Sequence, residues 1–326
     1  MKPTVFVARP LPGNHLERLA KHARVRVNDT GRDVRKEELA KAIAEADGLI
    51  SMLVNPLDKS LLRQAPRLKV IANYAVGFDN IDVPAATELG IIVANTPDVL
   101  TEATADLAWA LLLTASRRIV EGDRLVREGG FRGWHPGLLL GRQLSGKTLG
   151  IIGMGRIGTA VARRAAGFGM DVLYTGRRAL RPELEEQLRA RQTGLEQLLS
   201  MSDFISLHAP YTRENHHLIG AEQLRLMKRE AILVNTARGA LIDERALAEA
   251  LRQQVIAGAG LDVYEREPQV EPLLLSCDNA VLAPHAGSAT WETRSEMAAI
   301  CVDAVIAALR GDVPRTALNG PLPRRQ

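Results

Sequence analysis

The feature that most constrains this chain is a glycine turn set between two strand-like runs. The apolar segment TLGII (148–152) passes directly into Gly153-Met154-Gly155-Arg156-Ile157-Gly158. A helical pattern, TAVARRAAGFG, follows, and a second run, DVLY (171–174), closes the unit. Glycines at G-x-G-x-x-G spacing occur in many tight turns and say little alone. At a strand-to-helix junction inside a βαβ unit of about thirty residues, they form a dinucleotide-binding fingerprint. The first glycine permits the turn, the second lets backbone approach a pyrophosphate, and the third allows close helix–strand packing. The N–H groups and dipole of the helix N-terminus favour the anion.

The same alternation of short β-branched runs and helical patterns extends along the chain. VFVA (5–8), VRV (25–27), DGLISML (47–53), LKVIAN (68–73) and IIVAN (91–95) are separated by helix-like or turn-bounded stretches. After the glycine turn come DFISLHA (203–209), AILVNTA (231–237), AGAGLDV (257–263) and AVLAPH (280–285), then the amphipathic pattern TWETRSEMAAICVDAVIAALRG. This predicts α/β architecture with doubly wound parallel sheets covered by helices. From Thr101 to Gly130 the pattern reads as one long helix ended by Gly129-Gly130. A length of 326 residues suits two domains, each able to bury a core.

Composition narrows the partners. The 42 basic and 38 acidic residues give a net charge of only +4, and aromatics are 4%, so nucleic acid is poorly served. The basic C-terminal PLPRRQ reads as a frayed tail. No apolar run approaches the roughly 20 residues needed to cross a bilayer. The opening MKPTVFVARPLPGN does not resemble a signal peptide, and Cys277 and Cys301 lack zinc-type spacing. A reduced, cytoplasmic protein without a metal is the expectation.

The end of the second strand bears on which dinucleotide binds. A site for NAD places Asp or Glu there to hold the ribose 2′-hydroxyl. Here the sequence is Tyr174-Thr175-Gly176-Arg177-Arg178, with no carboxylate before Glu183. Two adjacent guanidiniums can clamp a 2′-phosphate. The alternative is a solvated loop with two arginines; the charge pattern favours NADPH, with NADH bound more weakly.

Three later strands each end in a charged group: Arg238 after AILVNTA, Asp262, Glu265 and Glu267 around GLDVYEREP, and His285 in APH. Converging on the carboxyl edge of one sheet, Arg, Glu and His suit hydride transfer to a carbonyl beside a carboxylate. Arginine binds the anion in a planar fork, histidine protonates the carbonyl oxygen, and a carboxylate orients the imidazole and favours its charged form.

At this point the chain resembles the D-isomer-specific 2-hydroxyacid dehydrogenases over essentially its whole length, and within them the glyoxylate/hydroxypyruvate reductases. The motifs are YAVGFDNID (74–82), NTPDVLTEATADLAWALLL (95–113), GKTLGIIGMGRIG (146–158), LVNTARGALIDE (233–244), GLDVYEREP (260–268) and LAPHAGSAT (282–290). The resemblance implies a Rossmann domain (99–286) inserted into a flavodoxin-like substrate domain (1–98 and 287–326). It implies catalytic Arg238, Glu267 and His285, choosing Glu267 over Glu265. It also implies backbone N–H groups of Val76 and Gly77 on the substrate carboxylate, Leu53 lining the pocket, and Ser288 near the histidine. Thr104 and Asp262 are expected around the nicotinamide, with Arg156 and Ile157 at the pyrophosphate. GFRGWHPGLLLG (130–141) is similar to the segment such reductases extend across a homodimer. There Trp134 either reaches the partner's active site or packs in the dimer core.

The implied reaction is NADPH-dependent reduction of glyoxylate to glycolate and of hydroxypyruvate to D-glycerate. Other 2-oxo acids, phosphite oxidation, and a corepressor-like dinucleotide-sensing role share the fold. His208 is expected to pack near the cofactor, His216 and His217 to lie on the surface, and Trp109 and Trp291 to occupy core or interface.

Overall fold

The computed structural model describes residues 2–320, so the PLPRRQ tail lies outside the described residues. The chain falls into two compact units, Met1–Leu100 with Ser288–Gln326, and Thr101–Gly287. The second is inserted in the sequence of the first.

The first unit opens with β1 (Thr4–Val7), α1 (His15–Ala20), β2 (Arg24–Val27) and α2 (Lys36–Ala44). It continues with β3 (Gly48–Ser51), α3 (Lys59–Leu62), β4 (Val70–Asn73), α4 (Val83–Glu88) and β5 (Ile92–Ala94). All five strands pair in parallel in the order β2-β1-β3-β4-β5, the flavodoxin-like winding. Alternate side chains point to opposite faces. Phe6, Leu49 and Ile71 pack with Leu39, Ile43 and Leu61 on one face. Val5, Val7, Ile50 and Val70 pack on the other with Val302 and Val305. Those two valines lie on the long helix after the inserted unit. The edge strand β2 keeps Arg24 and Arg26 exposed, whereas β3 and β4 are buried along their whole length, as expected for strands covered on both faces.

The inserted unit starts with α5 (Thr101–Ser116) and α6 (Ile119–Arg127). These are two helices where the periodicity predicts one. The break falls at Arg118, which adopts a left-handed backbone (φ 53°) and ion-pairs with Glu121 at 2.6 Å. The Ser116 carbonyl accepts the Arg142 N–H at 2.7 Å, so a distant segment takes up the end of α5. No glycine or proline marks that turn in the sequence.

The sheet follows: β6 (Thr148–Ile152), α7 (Arg156–Ala165), β7 (Asp171–Thr175), α8 (Pro182–Leu188), β8 (Ala190–Gln192) and α9 (Leu195–Met201). Then come β9 (Phe204–Leu207), α10 (Ala221–Leu226), β10 (Ile232–Asn235), α11 (Glu244–Arg252), β11 (Gly258–Leu261) and β12 (Ala280–Leu282). The order β12-β11-β10-β9-β6-β7-β8 is parallel throughout, and the winding reverses between β6 and β9. Ligands of such sheets bind beyond the carboxyl ends of the strands at that reversal. The chain then returns to the first unit as α12 (Trp291–Arg310), the helix carrying Val302 and Val305.

Trp109 is buried, its indole N–H donating to the Val161 carbonyl at 3.1 Å. Trp291, expected in core or interface, is exposed in the single chain and belongs to no core. It occupies the first position of α12, before that helix meets the sheet. No helix among the described residues is long and apolar enough to cross a membrane.

Candidate active site

The glycine turn lies between β6 and α7. Gly153 adopts φ +99°, and a Cβ there would fall 2.5 Å from the Ala209 nitrogen, beyond the end of β9. A Cβ on Gly158 would fall 2.2 Å from the Gly153 carbonyl oxygen. Gly155 is different: a Cβ there meets no protein atom within 4 Å. It caps the ten-residue α7, whose first turn holds Arg156 and Ile157. Two glycines therefore shape the turn, and the third leaves open space before a helix N-terminus, which fits a pyrophosphate.

At the end of β7, Gly176 stands where an NAD site would place its acid. Its Cβ position is 3.7 Å from the Met154 nitrogen, and its carbonyl accepts from Gln192 of β8 at 3.1 Å. Arg177 and Arg178 are exposed, and neither forms an ion pair among the described residues. The β8 strand itself, with sequence ARQ, carries too little apolar signal to be read in advance.

Arg238, Glu267 and His285 follow the adjacent strands β10, β11 and β12 at one sheet edge. His285 Nδ1 lies 2.8 Å from a Glu267 carboxylate oxygen, and the other oxygen accepts the Tyr264 N–H at 3.0 Å. Burial works to raise the pKa of Glu267. It is outweighed by the hydrogen bond and charge of His285, the Tyr264 N–H and the nearby Arg238 guanidinium, which leave the carboxyl below its ordinary value. A carboxylate on Nδ1 assigns the proton there and turns Nε2 toward a substrate.

The backbone around each group is held by buried polar side chains. His285 adopts φ 52°, and its N–H donates to the Asp262 carbonyl at 2.8 Å. The Asp262 carboxylate accepts from the Ala286 and Gly287 N–H groups at 2.6 and 2.8 Å. Burial raises the Asp262 pKa in spite of those two donors. Thr104 on α5 donates to the Gly287 carbonyl at 3.2 Å. Thr104 and Asp262 thus secure the histidine loop, a contact that spacing could not supply. Asn235 donates to the Arg238 carbonyl at 2.8 Å and accepts from the Ala237 N–H at 3.0 Å. The Tyr264 hydroxyl bonds the Ala283 carbonyl at 2.9 Å, and burial pushes its pKa up to about 12. Asn235 and Tyr264 were not singled out from the sequence. A polar residue closing an apolar strand was the available signal for Asn235.

Leu53 follows β3, and Val76 and Gly77 follow β4, in the first unit. Asn95 and Asn73 side-chain amides hold the Val76 and Gly77 carbonyls, each at 2.8 Å. Ser288 begins the returning segment of that unit, its carbonyl accepting the Thr290 N–H at 2.8 Å. Trp134 is 82% exposed. His208 pairs with the Ser206 hydroxyl at 2.8 Å, and burial pushes its imidazole down to about 3. The sequence shows no set of ligands at metal spacing, yet the fold gathers His216, His217 and Glu265, with ligand atoms within 4.8 Å of one another.

The family described as D-isomer specific 2-hydroxyacid dehydrogenase, NAD binding domain, matches residues 109–287. The chain belongs to the D-isomer-specific 2-hydroxyacid dehydrogenases. It is 50% identical over 323 residues to a glyoxylate reductase of Thermococcus kodakarensis, covering 98% of this chain and 97% of that one. Its structure resembles an NADPH-dependent glyoxylate/hydroxypyruvate reductase from Sinorhizobium meliloti in complex with NADP and malonate. The TM-score is 0.88 at 32% identity, with both chains covered completely. It also resembles a D-lactate dehydrogenase from Aquifex aeolicus complexed with NAD and lactic acid, with a TM-score of 0.84 at 32% identity over 98% and 99% of the two chains.

Proposed function

We propose that this dehydrogenase reduces glyoxylate to glycolate and hydroxypyruvate to D-glycerate, using NADPH in preference to NADH. The observation that carries the chemistry is the 2.8 Å contact of His285 with Glu267 beside Arg238. A bound reduced nicotinamide supplies the hydride to the carbonyl carbon. Arg238 holds the substrate carboxylate in a planar fork. His285, protonated, donates from Nε2 to the carbonyl oxygen as negative charge develops there, and Glu267 keeps the ring oriented and offsets its charge. Thr104 and Asp262 hold the loop on which that ring is carried.

Support for the substrate class comes from the identity to glyoxylate reductases along nearly the whole chain. Support for NADPH comes from Gly176 standing in place of an acid, followed by Arg177 and Arg178 without ion-pair partners among the described residues. We propose a homodimer in which the exposed segment bearing Phe131, Trp134 and Leu140 meets the partner. A cytoplasmic setting agrees with two buried, unpaired thiols.

Initial rates with glyoxylate, hydroxypyruvate and pyruvate, each with NADPH and NADH, test the reading. Fast NADPH-linked turnover of the first two and slow pyruvate reduction are expected. In the variant Arg177→Ser with Arg178→Ser, the KM for NADPH should rise by about tenfold or more and that for NADH should hardly move. Equal effects on both cofactors would remove the arginine clamp. Turnover of none of the three acids, with dinucleotide still bound, would move the substrate to larger acids, phosphite or a sensing role.

A further inference from the structure

We propose that His216, His217 and Glu265 form a binding site for a divalent transition ion of the zinc class, bracing the loops behind the catalytic groups. Adjacent residues of an extended chain point to opposite sides. His217 instead adopts φ 52°, and the two imidazoles stack at 3.9 Å with 22° between their planes. Such backbone is uncommon outside glycine and gathers where function holds it.

The donor spacing supports an ion over a simple pair. Zinc bonds to nitrogen and oxygen near 2.0–2.1 Å, so tetrahedral donors stand roughly 3.4 Å apart. His217 Nε2 and Glu265 Oε1 are 3.3 Å apart. Yet His217 Nε2 is shielded from solvent and makes no hydrogen bond. The catalytic His285–Glu267 pair, by contrast, is hydrogen-bonded at 2.8 Å. A ring nitrogen of His216 completes the set within 4.8 Å. Two imidazoles and one carboxylate match a borderline ion and leave one position for water.

The chain on either side of the cluster is anchored as well. The backbone N–H of His217 donates to the Ala240 carbonyl at 2.9 Å, the Tyr211 ring meets His216 edge-on at 6.0 Å, and the Glu244 carboxylate accepts the backbone N–H of Glu265. The segments concerned carry the catalytic machinery on their other parts. A Cβ on Gly239, next to Arg238, would lie 1.9 Å from the Tyr264 carbonyl carbon, so the 239 and 264–265 backbones are in contact. An ion joining His216 and His217 to Glu265 would tie the chain after β9 to the loop that presents Glu267.

The test uses the full chain, stripped with chelator and titrated with Zn²⁺ against a chromophoric competitor. One Zn²⁺ per chain is expected, with His216→Ala and Glu265→Gln each weakening it by about tenfold or more. His135→Ala, at an exposed histidine elsewhere, should bind as the parent does. Co²⁺ should give the visible absorption of a low-coordinate nitrogen/oxygen site, lost in His217→Ala. Zn²⁺ in excess should raise the Tm of the parent but not of His216→Ala. Because His216 is exposed, its variant should match the parent's metal-free Tm, which guards against misfolding. Absence of stoichiometric binding, or equal binding by the parent and by the His216 and Glu265 variants, would overturn the site.

Discussion

The two ends of the seven-stranded sheet solve different problems with different materials. At β6 and β7 the proposed dinucleotide end is made of backbone: two glycines shape the turn, and a third leaves open space before α7. At β10, β11 and β12 the proposed catalytic end is made of charged side chains, each seated on a loop fixed by Asn235, Tyr264, Asp262 or Thr104. A pyrophosphate needs shape and N–H groups, which the main chain provides at any pH. A carbonyl under reduction needs a proton at one atom, and only a held, titratable side chain can deliver it. The comparison implies that the two functions can be removed separately.

The largest separation should come from His285→Ala. Loss of a positioned acid typically costs 10²–10⁴-fold, so kcat should fall by about that factor. The dissociation constant for NADPH, measured by nucleotide fluorescence, should stay within about twofold, because the glycine turn does not depend on the imidazole. A variant with near-parental turnover would remove His285 as the acid. A large loss of NADPH affinity would show that the two ends are not independent.

The same contrast explains how far the sequence could be read. A backbone requirement is written directly in residue type: a left-handed turn and a close approach ask for glycine, and Gly153 and Gly158 stand where the spacing puts them. Strand-end Arg238, Glu267 and His285 were legible because charge is conspicuous after apolar runs. What holds them was not. Thr104 reaches Gly287 across 183 positions, and Tyr264 reaches Ala283 across 19. Such contacts exist only once the sheet has been wound. The turn at Arg118 escaped for a related reason, since a distant N–H of Arg142 ends α5 where no local residue does. His216 and His217 lie 49 and 48 positions from Glu265, and no motif spacing links them.

Within the glycine turn a smaller effect sharpens the point. Gly158→Ala forces a Cβ to within 2.2 Å of the Gly153 carbonyl, so both Tm and dinucleotide affinity should drop. Gly155→Ala meets no protein atom and needs no unusual backbone, since its φ is −81°. Its Tm should stay within about 1 °C of the parent. Its methyl group would nevertheless occupy the open space, so NADPH binding should weaken by about tenfold. Thermal melts with and without NADPH separate the two variants. If Gly155→Ala bound the nucleotide normally, the open space would not be where the pyrophosphate lies.

The smallest effect concerns His208, which follows β9 at the reversal of winding, between the two ends. Its N–H donates to the Ile152 carbonyl at 2.7 Å, and its carbonyl carbon would lie 2.6 Å from a Cβ on Gly153. Burial depresses its pKa to about 3, against about 6.5 for an unfolded histidine. Between those values the unfolded chain binds the proton and the folded chain does not. Stability therefore rises with pH across that window and is lost as pH falls from about 6.5 toward about 3. At pH 5.5, one unit below the unfolded value, the penalty is about 1 kcal/mol. His208→Gln, which retains a polar group for Ser206, should shrink the Tm difference between pH 7.5 and pH 5.5 by about 2 °C. An unchanged difference would mean that this imidazole takes up its proton in the folded state. Neutrality at the junction would then not be a condition of the fold, and the glycine turn would have a charge beside it that its backbone chemistry does not require.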